Sequence, residues 1–497
     1  MNYYIGIDIG TSSTKTILID NVGTIIGTAQ IGYDFSQPAP GYAEQNAEVL
    51  WEAVKGTLQE LIAHYPAQME NVKGIGYSGQ MHGLVMLDKN GKVIRDIIIW
   101  ADIRTGKEIE EIYSVIPREE YNAVTLNPLC TGYQAASLAW VKKHEPENYA
   151  KIDKIVFPKD YIRYRMCGEL GVESSDASGS VIFDTARRDW AWDFIDRLGF
   201  PRDIFPKCRE SYHLAGEVSA ECSRETGLKK GIKIAFGGGD TIMQQVGNGM
   251  VLDNNVWVSN IGTSCQLSCA ASRPVYDKLY RSNTFCHVDE NLWMMMGANV
   301  TGGLCLKWLK NKMVHAENFE ATNALAETVP AGSDGLIFLP YLSGARCPHN
   351  DSSAKGIYWG LTLDHTQAHL IRSTMEGIIF SLYDCYEVFR SCGMTPEKMI
   401  ASGGGARGDL FLHIQADMYN CEIYTNLGKE QSCIGAAIAG AVCAGEYRNY
   451  PEACSQIVKY SDKVTLPNQE NHKRYMEQYE IYRELYAHNK ELFQKNL

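Results

Sequence analysis

The sequence Ile-Gly-Thr-Ser occurs twice, at residues 9–12 and again at 261–264, just past the midpoint of the 497-residue chain. In both places strand-like segments lie before and after it, so that each half begins with a glycine–threonine hairpin. Four residues alone are weak support for a duplication, but their placement favours two related domains. The length also exceeds that of one ordinary domain. We place the boundary near Met250, which predicts domains at 1–250 and 251–497.

The order of strands and helices predicts an α/β fold. Short β-rich runs alternate with longer segments in which apolar residues recur at helical spacing. A three-stranded meander, a helix and a further strand open the chain, and a hairpin opens the second half. The predicted strands lie at 3–9, 14–20, 24–30, 72–77, 254–260 and 335–340, and the predicted helices at 47–65, 241–250, 301–312, 366–390, 409–419 and 471–496.

Residues 234–240, Ile-Ala-Phe-Gly-Gly-Gly-Asp, place a carboxylate after a tight turn. The apolar residues predict the end of a strand, and three glycines let the backbone turn sharply and approach another group closely. A helix is predicted behind Asp240, so its carboxylate would lie over the carboxyl edge of a sheet, where open α/β folds bind their ligands. The simpler alternative is that Asp240 caps this helix.

The first hairpin, from Asp8 to Lys15, combines a carboxylate with a turn rich in hydroxyl groups. Consecutive backbone amides with Thr11 and Ser12 could bind phosphate oxygens, and Asp8 could hold Mg²⁺ or its waters. The alternative is an ordinary hairpin in which Asp8 hydrogen-bonds to the turn. The spacing differs from that of the Gly-x-x-x-x-Gly-Lys-Ser/Thr phosphate loop.

A third glycine-rich turn, Ser402-Gly403-Gly404-Gly405-Ala406, lies between a strand and a helix. Glycines at such a corner allow a flat ring or a phosphate to lie against bare backbone. Taken alone, the pattern is equally typical of close packing between a strand and a helix.

The loop Gln80-Met81-His82 follows a buried strand and offers an amide, a thioether and an imidazole to a small polar pocket. Such a pocket suits the hydroxyl groups of a polyol. The alternative is a structural histidine with its hydrogen bonds satisfied inside the protein. Residues 100–104, from Trp100 to Arg104, predict either a second pocket wall or a strand end with an ion pair.

Charge and cysteine content restrict the partners. The formal net charge is −12 and no run of Lys and Arg stands out, so nucleic acid and anionic membranes are not expected as partners. None of the 15 cysteines forms a Cys-x-x-Cys pair, which argues against a zinc or disulfide framework. No signal peptide is recognised, and the expected location is the cytoplasm.

Together these stretches resemble the FGGY family of carbohydrate kinases. The resemblance covers most of the chain and includes the family's C-terminal pattern from Gly356 to Glu376. The further matching stretches are 8–15, 78–83, 100–104, 159–161, 175–179, 237–240, 262–264 and 339–350.

The resemblance implies two ribonuclease-H-like domains of the actin and hexokinase superfold on either side of a catalytic cleft. Sugar would bind mainly to the first domain and ATP mainly to the second, with Mg²⁺ as the metal ion of the reaction. The implied reaction is transfer of the γ-phosphoryl group of ATP to a small-molecule ketopentose, D-xylulose foremost. Homodimers occur in the family, which leaves a homodimer open here.

The resemblance also assigns roles to individual residues. Asp240 would be the general base, and Asp8 with Asp240 would lie near Mg²⁺. The residues implied for the sugar are Met81, His82, Trp100, Asp240 and Thr241, and those implied for the nucleotide are Thr11, Ser12, Lys15, Gly262, Thr263, Gly303, Gly404 and Gly405.

One departure keeps the substrate open. Family members that act on xylulose usually carry Asn directly after the catalytic Asp, whereas this chain has Thr241, followed by bulky residues up to Gln245. L-Xylulose, ribulose or a tetritol therefore remain alternative acceptors. Ser137 also replaces a common Lys, a change that nothing in the sequence explains. A more distant alternative is an actin-like ATPase that uses no sugar.

Overall fold

A meander of antiparallel strands and a parallel strand beside it open the fold. The computed structural model describes residues 1–253 and 256–495, with the strands and helices named below. The strands of the first half are β1 (Tyr3–Ile9), β2 (Ser13–Asp20), β3 (Ile25–Gly32), β4 (Glu44–Gln45), β5 (Val72–Gly79), β6 (Val85–Leu87), β7 (Ile97–Ile98), β8 (Lys154–Val156), β9 (Val172–Glu173), β10 (Phe183–Asp184), β11 (Asp189–Trp190), β12 (Cys208–Arg209), β13 (Leu214–Glu217), β14 (Lys233–Ala235) and β15 (Gly238–Gly239).

The strands of the second half are fewer and include six that form one sheet. They are β16 (Val256–Ile261), β17 (Cys265–Ala271), β18 (Asn283–Cys286), β19 (Trp293–Asn299), β20 (Ile337–Leu339), β21 (Ile357–Trp359), β22 (Lys398–Gly403) and β23 (Ile423–Thr425).

The helices range from single turns to 25 residues. They are α1 (Ala47–His64), α2 (Pro66–Met69), α3 (Gly106–Val115), α4 (Arg118–Thr125), α5 (Gln134–His144), α6 (Pro146–Tyr149), α7 (Pro158–Cys167), α8 (Ser174–Gly179), α9 (Trp192–Arg197), α10 (Ala220–Thr226), α11 (Asp240–Gly247), α12 (Gly303–Leu309), α13 (Phe319–Glu327), α14 (Gln367–Ser391), α15 (Asp409–Tyr419), α16 (Gln431–Ala444), α17 (Tyr450–Ile457) and α18 (Gln469–Phe493).

The two main sheets share one plan. In the first, β1, β2 and β3 are antiparallel neighbours and β5 runs parallel to β1. In the second, β16, β17 and β19 are antiparallel neighbours and β22 runs parallel to β16. The repeated hairpin therefore marks a repeated architecture. This confirms the prediction of two α/β domains.

Helices α11 and α16 lie between the two sheets and form a shared apolar core with them. Helix α16 belongs to the second half of the chain but packs on β1 and β5 of the first. This approach requires glycine, because a Cβ atom on Gly76 would lie 1.9 Å from the carbonyl oxygen of Ala436. The two halves are thus joined by continuous packing as well as by the chain.

Most predicted elements lie within two or three residues of the observed ones. Helix α11 ends earlier than predicted, at Gly247, because Gly249 adopts a left-handed conformation with φ +85°. Helix α12 also starts later than predicted, at Gly303, and continues into a π-helical segment, Lys310–Val314. Of the strand predicted at 254–260, the first two residues lie outside the described part of the chain.

Candidate active site

Three parallel strands of the first sheet end side by side and bring two carboxylates together. Strand β5 pairs with β1 on one side and with β15 on the other. In register, Ser78 lies between Asp8 and Gly238. The chain leaves β15 directly into α11, whose first residue is Asp240. Asp8 and Asp240 therefore lie at one carboxyl edge, where this fold class binds ligands.

Asp240 is partly accessible and its carboxylate is held by its own neighbour. Gly239 occupies the N-cap position of α11, so Asp240 is the first helical residue and not the cap. Its Oδ1 accepts hydrogen bonds from the Thr241 amide at 2.6 Å and from the Thr241 hydroxyl at 3.3 Å. Burial and the nearby Asp8 raise the pKa of Asp240 to about 7, against the effect of these two bonds. Such a carboxyl can accept a proton near neutral pH.

The Asp8 carboxylate is held by the Ser78 hydroxyl and lies near both a positive charge, on Lys15, and a negative charge, on Glu430. The Ser78 hydroxyl donates to Asp8 Oδ1 at 2.6 Å. Burial raises the pKa of Asp8, while Ser78 and Lys15 act in the opposite direction. The two carboxylates thus form a set of hard oxygen donors that suits Mg²⁺, which commonly takes one or two carboxylates and completes its shell with waters and phosphate oxygens. No cluster of three or more His, Cys, Asp or Glu ligands occurs in residues 1–253 and 256–495.

His82 presents a neutral imidazole to the space beside Asp240. Its Nδ1 lies 2.7 Å from the Gly179 carbonyl oxygen, which can only accept, so Nδ1 carries the proton and Nε2 has a free lone pair. Burial, with a smaller contribution from Arg346, lowers the pKa of His82 to about 4. The ring stacks on Tyr133 at 4.1 Å between centroids. Its backbone has φ +72°, a conformation that is unfavourable for His and that the surrounding loop imposes.

Met81 lies beneath the turn that carries Asp240. A Cβ atom on Gly239 would lie 2.6 Å from the Met81 Cγ, so the thioether side chain and the glycine backbone are in direct contact. Met81 is buried, whereas His82 and Asp240 are partly accessible. The structure therefore brings the predicted sugar residues Met81, His82 and Asp240 together in one region of the first half, with the buried Met81 beneath the other two. This region is the first locality of the candidate site, and the cavity of the second half is the other.

Trp100 stands at the edge of the same locality. Its Nε1 donates to Thr11 Oγ1 at 2.8 Å, and 45% of the residue's surface is exposed. Thr11 lies in turn 3.4 Å from Gln80 Oε1, and Gln80 Nε2 donates to Gln45 Oε1 at 2.6 Å. A buried amide network thus holds the first hairpin against the indole.

The second half contains a cavity of about 380 Å³ beneath its own hairpin. The glycines of three turns and the hairpin threonine form one side of it, and apolar and charged side chains form the other. This volume is in the range of small-molecule pockets. The lining residues are Ile261, Gly262, Thr263, Gly303, Leu304, Leu306, Lys307, Phe319, Glu320, Asn323, Gly404, Gly405, Arg407, Gly408 and Phe411.

Helix α11 links the carboxylates to the second hairpin. Gln244, one turn after Asp240, accepts a hydrogen bond from Gln266 Nε2 at 3.3 Å. Gln266 lies on β17, three residues beyond Thr263. The Gln244–Gln266 hydrogen bond thus connects two short segments: Gln244 is four residues from Asp240, and Gln266 is three residues from Thr263.

Not every predicted nucleotide residue lines the cavity. Gly262, Thr263, Gly303, Gly404 and Gly405 do. Thr11 and Ser12 lie instead on the first hairpin, and the Lys15 Nζ lies 2.6 Å from Glu430 Oε2. The roles of all eight residues towards the nucleotide stay predictions.

Several residues of both localities were not predicted as site residues. Tyr133 and Gly179 position His82 although neither belongs to its loop. Phe319, Asn323 and Phe411 line the cavity from helices without any glycine motif. Helical apolar residues look alike whether they face a core or a cavity, so only the folded arrangement separates these from the rest.

Comparison with known proteins places the chain in a family. Residues 3–247 match the N-terminal domain of the FGGY family of carbohydrate kinases, and residues 258–444 match its C-terminal domain. Because these matches cover most of the sequence, the chain belongs to the FGGY family of carbohydrate kinases. The predicted resemblance is thereby confirmed, and with it the ribonuclease-H-like fold with two domains.

Individual relatives agree over the full length. The chain is 33% identical to a xylulose kinase of Bacillus subtilis over 99% of its length and 98% of that protein. The solved structure of a xylulose kinase from Rhodospirillum rubrum aligns with a TM-score of 0.92 and 27% identity, covering 99% of this chain and 100% of that one. A gluconate kinase from Lactobacillus acidophilus aligns with a TM-score of 0.93 and 25% identity, covering 99% of both chains.

Among the described residues, no helix combines the length and apolar character needed to cross a membrane.

Proposed function

We propose that the protein transfers the γ-phosphoryl group of ATP to D-xylulose and forms D-xylulose 5-phosphate. The observation that carries the proposal is the Asp8–Asp240 pair at the carboxyl edge of the first sheet, linked through α11 to the glycine-lined cavity of the second half. Full-length similarity to xylulose kinases supports the choice of sugar. Within this proposal, residues 1–250 bind the sugar and residues 251–497 bind the nucleotide.

Asp240 acts as the general base. With a pKa near 7, its carboxyl is largely ionised above neutral pH and can take the proton of the attacking sugar hydroxyl. Phosphoryl transfer requires alignment and charge neutralisation more than covalent help, so holding the hydroxyl in line is the larger contribution. The free Nε2 of His82 accepts a second sugar hydroxyl, and Trp100 covers one side of the sugar.

Asp8 and Asp240 would hold Mg²⁺, which neutralises charge on the phosphates when it is bound. The chain itself supplies hydrogen-bond donors to the phosphates: the backbone amides of the Gly262–Thr263 turn and the Thr263 side-chain hydroxyl donate to phosphate oxygens. The purine lies between the glycines at 404–405 and the apolar side chains of Phe319 and Phe411. Thr11, Ser12 and Lys15 approach the transferred group from the first hairpin.

Thr241 bears on the choice of sugar. Its hydroxyl is turned towards Asp240, so it offers less reach than the Asn usual at this position. A panel assay of ADP release with D-xylulose, L-xylulose, D- and L-ribulose, erythritol, glycerol and gluconate tests the proposal. The highest kcat/KM is expected for D-xylulose. A higher value for any other acceptor would keep the kinase assignment and overturn the substrate.

The rate should depend on pH through Asp240. Because the base must be deprotonated, kcat/KM for the sugar should rise about tenfold per pH unit below the apparent pKa of Asp240 and level off above it. The pKa of Asp240 is about 7 in the metal-free protein, and Mg²⁺ bound beside it lowers this value, so the apparent pKa should lie between that of an ordinary carboxyl and about 7. A pH–rate profile between pH 5 and 9 with saturating ATP measures this. An ordinary carboxyl would give a profile that is already flat above pH 5, which would contradict the raised pKa.

Removing the indole of Trp100 should weaken sugar binding. Trp100→Phe keeps a ring but loses the hydrogen bond to Thr11 and part of the covering surface. We expect the KM for D-xylulose to rise about 3- to 10-fold, in keeping with one neutral hydrogen bond and lost apolar contact. The KM for ATP should stay within about twofold, since Trp100 lies outside the nucleotide cavity. Equal changes in both constants would contradict this position for Trp100.

A further inference from the structure

A buried cluster of charged residues lies directly behind the two loops that carry Asp240 and His82. The Lys159 ammonium lies 2.9 Å from Asp160, 3.2 Å from Glu173 and 3.1 Å from Asp176. All four side chains are fully buried. Arg163, also buried, lies 3.4 Å from Asp160. Burying five charged groups is costly even when they are paired, because the loss of hydration can exceed the attraction between them, so the cluster calls for a functional explanation.

The cluster touches both active-site loops. A Cβ atom on Gly79, the last residue of β5, would lie 2.7 Å from the Lys159 Cβ. Gly79 pairs in register with Gly239 of β15. The residues that follow these two glycines are the Gln80–His82 loop and Asp240. Lys159 therefore packs beneath the point where the sugar loop and the loop of the proposed base separate.

A chain of hydrogen bonds leads from the cluster to the proposed base. Glu173 accepts from the Ser175 amide at 2.7 Å and from the Ser175 hydroxyl at 2.9 Å. The Ser175 Oγ accepts in turn from the Gly239 amide at 3.1 Å. Since the hydroxyl has a single proton and gives it to Glu173, its lone pairs are directed at Gly239. Glu173 thus fixes the rotation of the hydroxyl that holds the residue before Asp240.

The charges make this arrangement rigid. Burial alone would lower the pKa of Lys159, but its three carboxylates raise it above the ordinary value, so the ammonium stays charged. Burial raises the pKa of Glu173, and Lys159 with the Ser175 hydroxyl and the Asp176 amide opposes this. Removing the Lys159 charge would leave the buried Glu173 and Asp176 carboxylates without their cation.

We propose that Ser175 is a positioning residue for the reaction, oriented by Glu173 and Lys159, and that it sets the place of Asp240 through the Gly239 amide. Ser175 touches neither sugar nor nucleotide in this account and acts only through the backbone. The inference rests on the proposed function, because it concerns the alignment of the same base. A misplacement of about 1 Å in such a group can cost about 100-fold in rate.

The test compares Ser175→Ala with Ser180→Ala. Both serines are fully buried at the same short helix, but the Ser180 hydroxyl bonds only to the backbone around Ala177 and Ile182. For Ser175→Ala we expect kcat to fall about 10- to 100-fold while the KM for ATP and the ADP affinity measured by calorimetry stay within about twofold. Ser180→Ala should lose a similar amount of thermal stability and keep kcat within about twofold.

A second variant covers the case in which Ser175→Ala does not fold. Glu173→Gln keeps the shape and one acceptor oxygen but loses the charge that binds Lys159, and its kcat should fall to a lesser degree with unchanged ADP affinity. Wild-type kcat in the folded Ser175→Ala variant, or in Glu173→Gln if only that variant folds, would overturn the inference. An equal loss in Ser180→Ala would do the same. If the wild type shows no sugar-dependent ADP release, the proposed function fails instead.

Discussion

Replacement of Asp240 by Asn is expected to lower kcat with D-xylulose about 10³-fold. The amide has the size of the carboxyl but cannot take the proton of the attacking hydroxyl, and general base catalysis contributes about 10²- to 10⁴-fold in enzymes. The KM for ATP should change far less than kcat, because the nucleotide cavity lies in the second half and the Asn amide keeps one oxygen atom for Mg²⁺. Steady-state ADP release over a range of both substrates measures the two constants separately.

The stability of the same variant serves as its control. Because the pKa of Asp240 is raised in the folded protein, its ionisation opposes folding, and the contribution of Asp240 to wild-type stability should fall as the pH rises from about 4 to about 7. Asn cannot ionise, so Asp240→Asn should unfold at a higher temperature than the wild type at pH 8. The gain is at most about 2–4 kcal/mol, since one pKa unit corresponds to about 1.4 kcal/mol.

Two results would contradict the role of Asp240. Turnover within about tenfold of the wild type would mean that another group, or solvent, takes the proton. A lower melting temperature in the variant at pH 8, measured in EDTA without nucleotide, would mean that the carboxylate is stabilised in the fold. The raised pKa would then be wrong as well.

Valine at position 404 is expected to raise the KM for ATP about 100-fold. Gly404 lines the cavity, and a Cβ atom there would meet only the Ile261 carbonyl oxygen, at 3.4 Å, so the side chain fits the protein itself. Its methyl groups would instead occupy space for the nucleotide. Overpacking costs about 1–3 kcal/mol, which corresponds to roughly 5- to 150-fold in affinity.

An exposed glycine outside the nucleotide cavity provides the matched control. Gly106 is exposed at the start of α3, and a Cβ atom there would meet nothing within 4 Å. Gly106→Val should leave both KM values unchanged. In Gly404→Val the affinity for D-xylulose without nucleotide should also be unchanged. An unaltered KM for ATP in Gly404→Val would show that the nucleotide binds elsewhere.

The repeated hairpin predicted two related domains because its second copy lies near the midpoint of a long chain. Strands β1 and β16 each form an antiparallel hairpin with the next strand. Each hairpin turn contains a glycine, which can be recognised from neighbouring residues alone. The glycine-rich turns at 237–239 and 403–405 were found for the same reason, since few other residues permit such close backbone approach. Turns that require glycine can therefore be predicted from a single sequence, because the requirement is local to the backbone.

Contacts between distant segments could not be predicted in this way. The packing of α16 on the first sheet depends on small residues more than 350 positions apart in sequence, such as Gly76 and Ala436. The pairing of Ser175 with Gly239 and the partnership of Lys15 with Glu430 are of the same kind. Each involves common residue types that carry no local signal, and their partners are known only once the distant segments are placed in the fold.

Identification of the reaction product distinguishes a sugar kinase from an ATPase. ³¹P NMR of the enzyme with ATP, Mg²⁺ and D-xylulose should show the γ-phosphate resonance replaced by that of a phosphomonoester, one for each ADP, with carbon coupling to the C5 position. Omission of the sugar should leave ATP intact. Inorganic phosphate in place of the ester, at the same rate with and without sugar, would contradict a sugar kinase and indicate an ATPase.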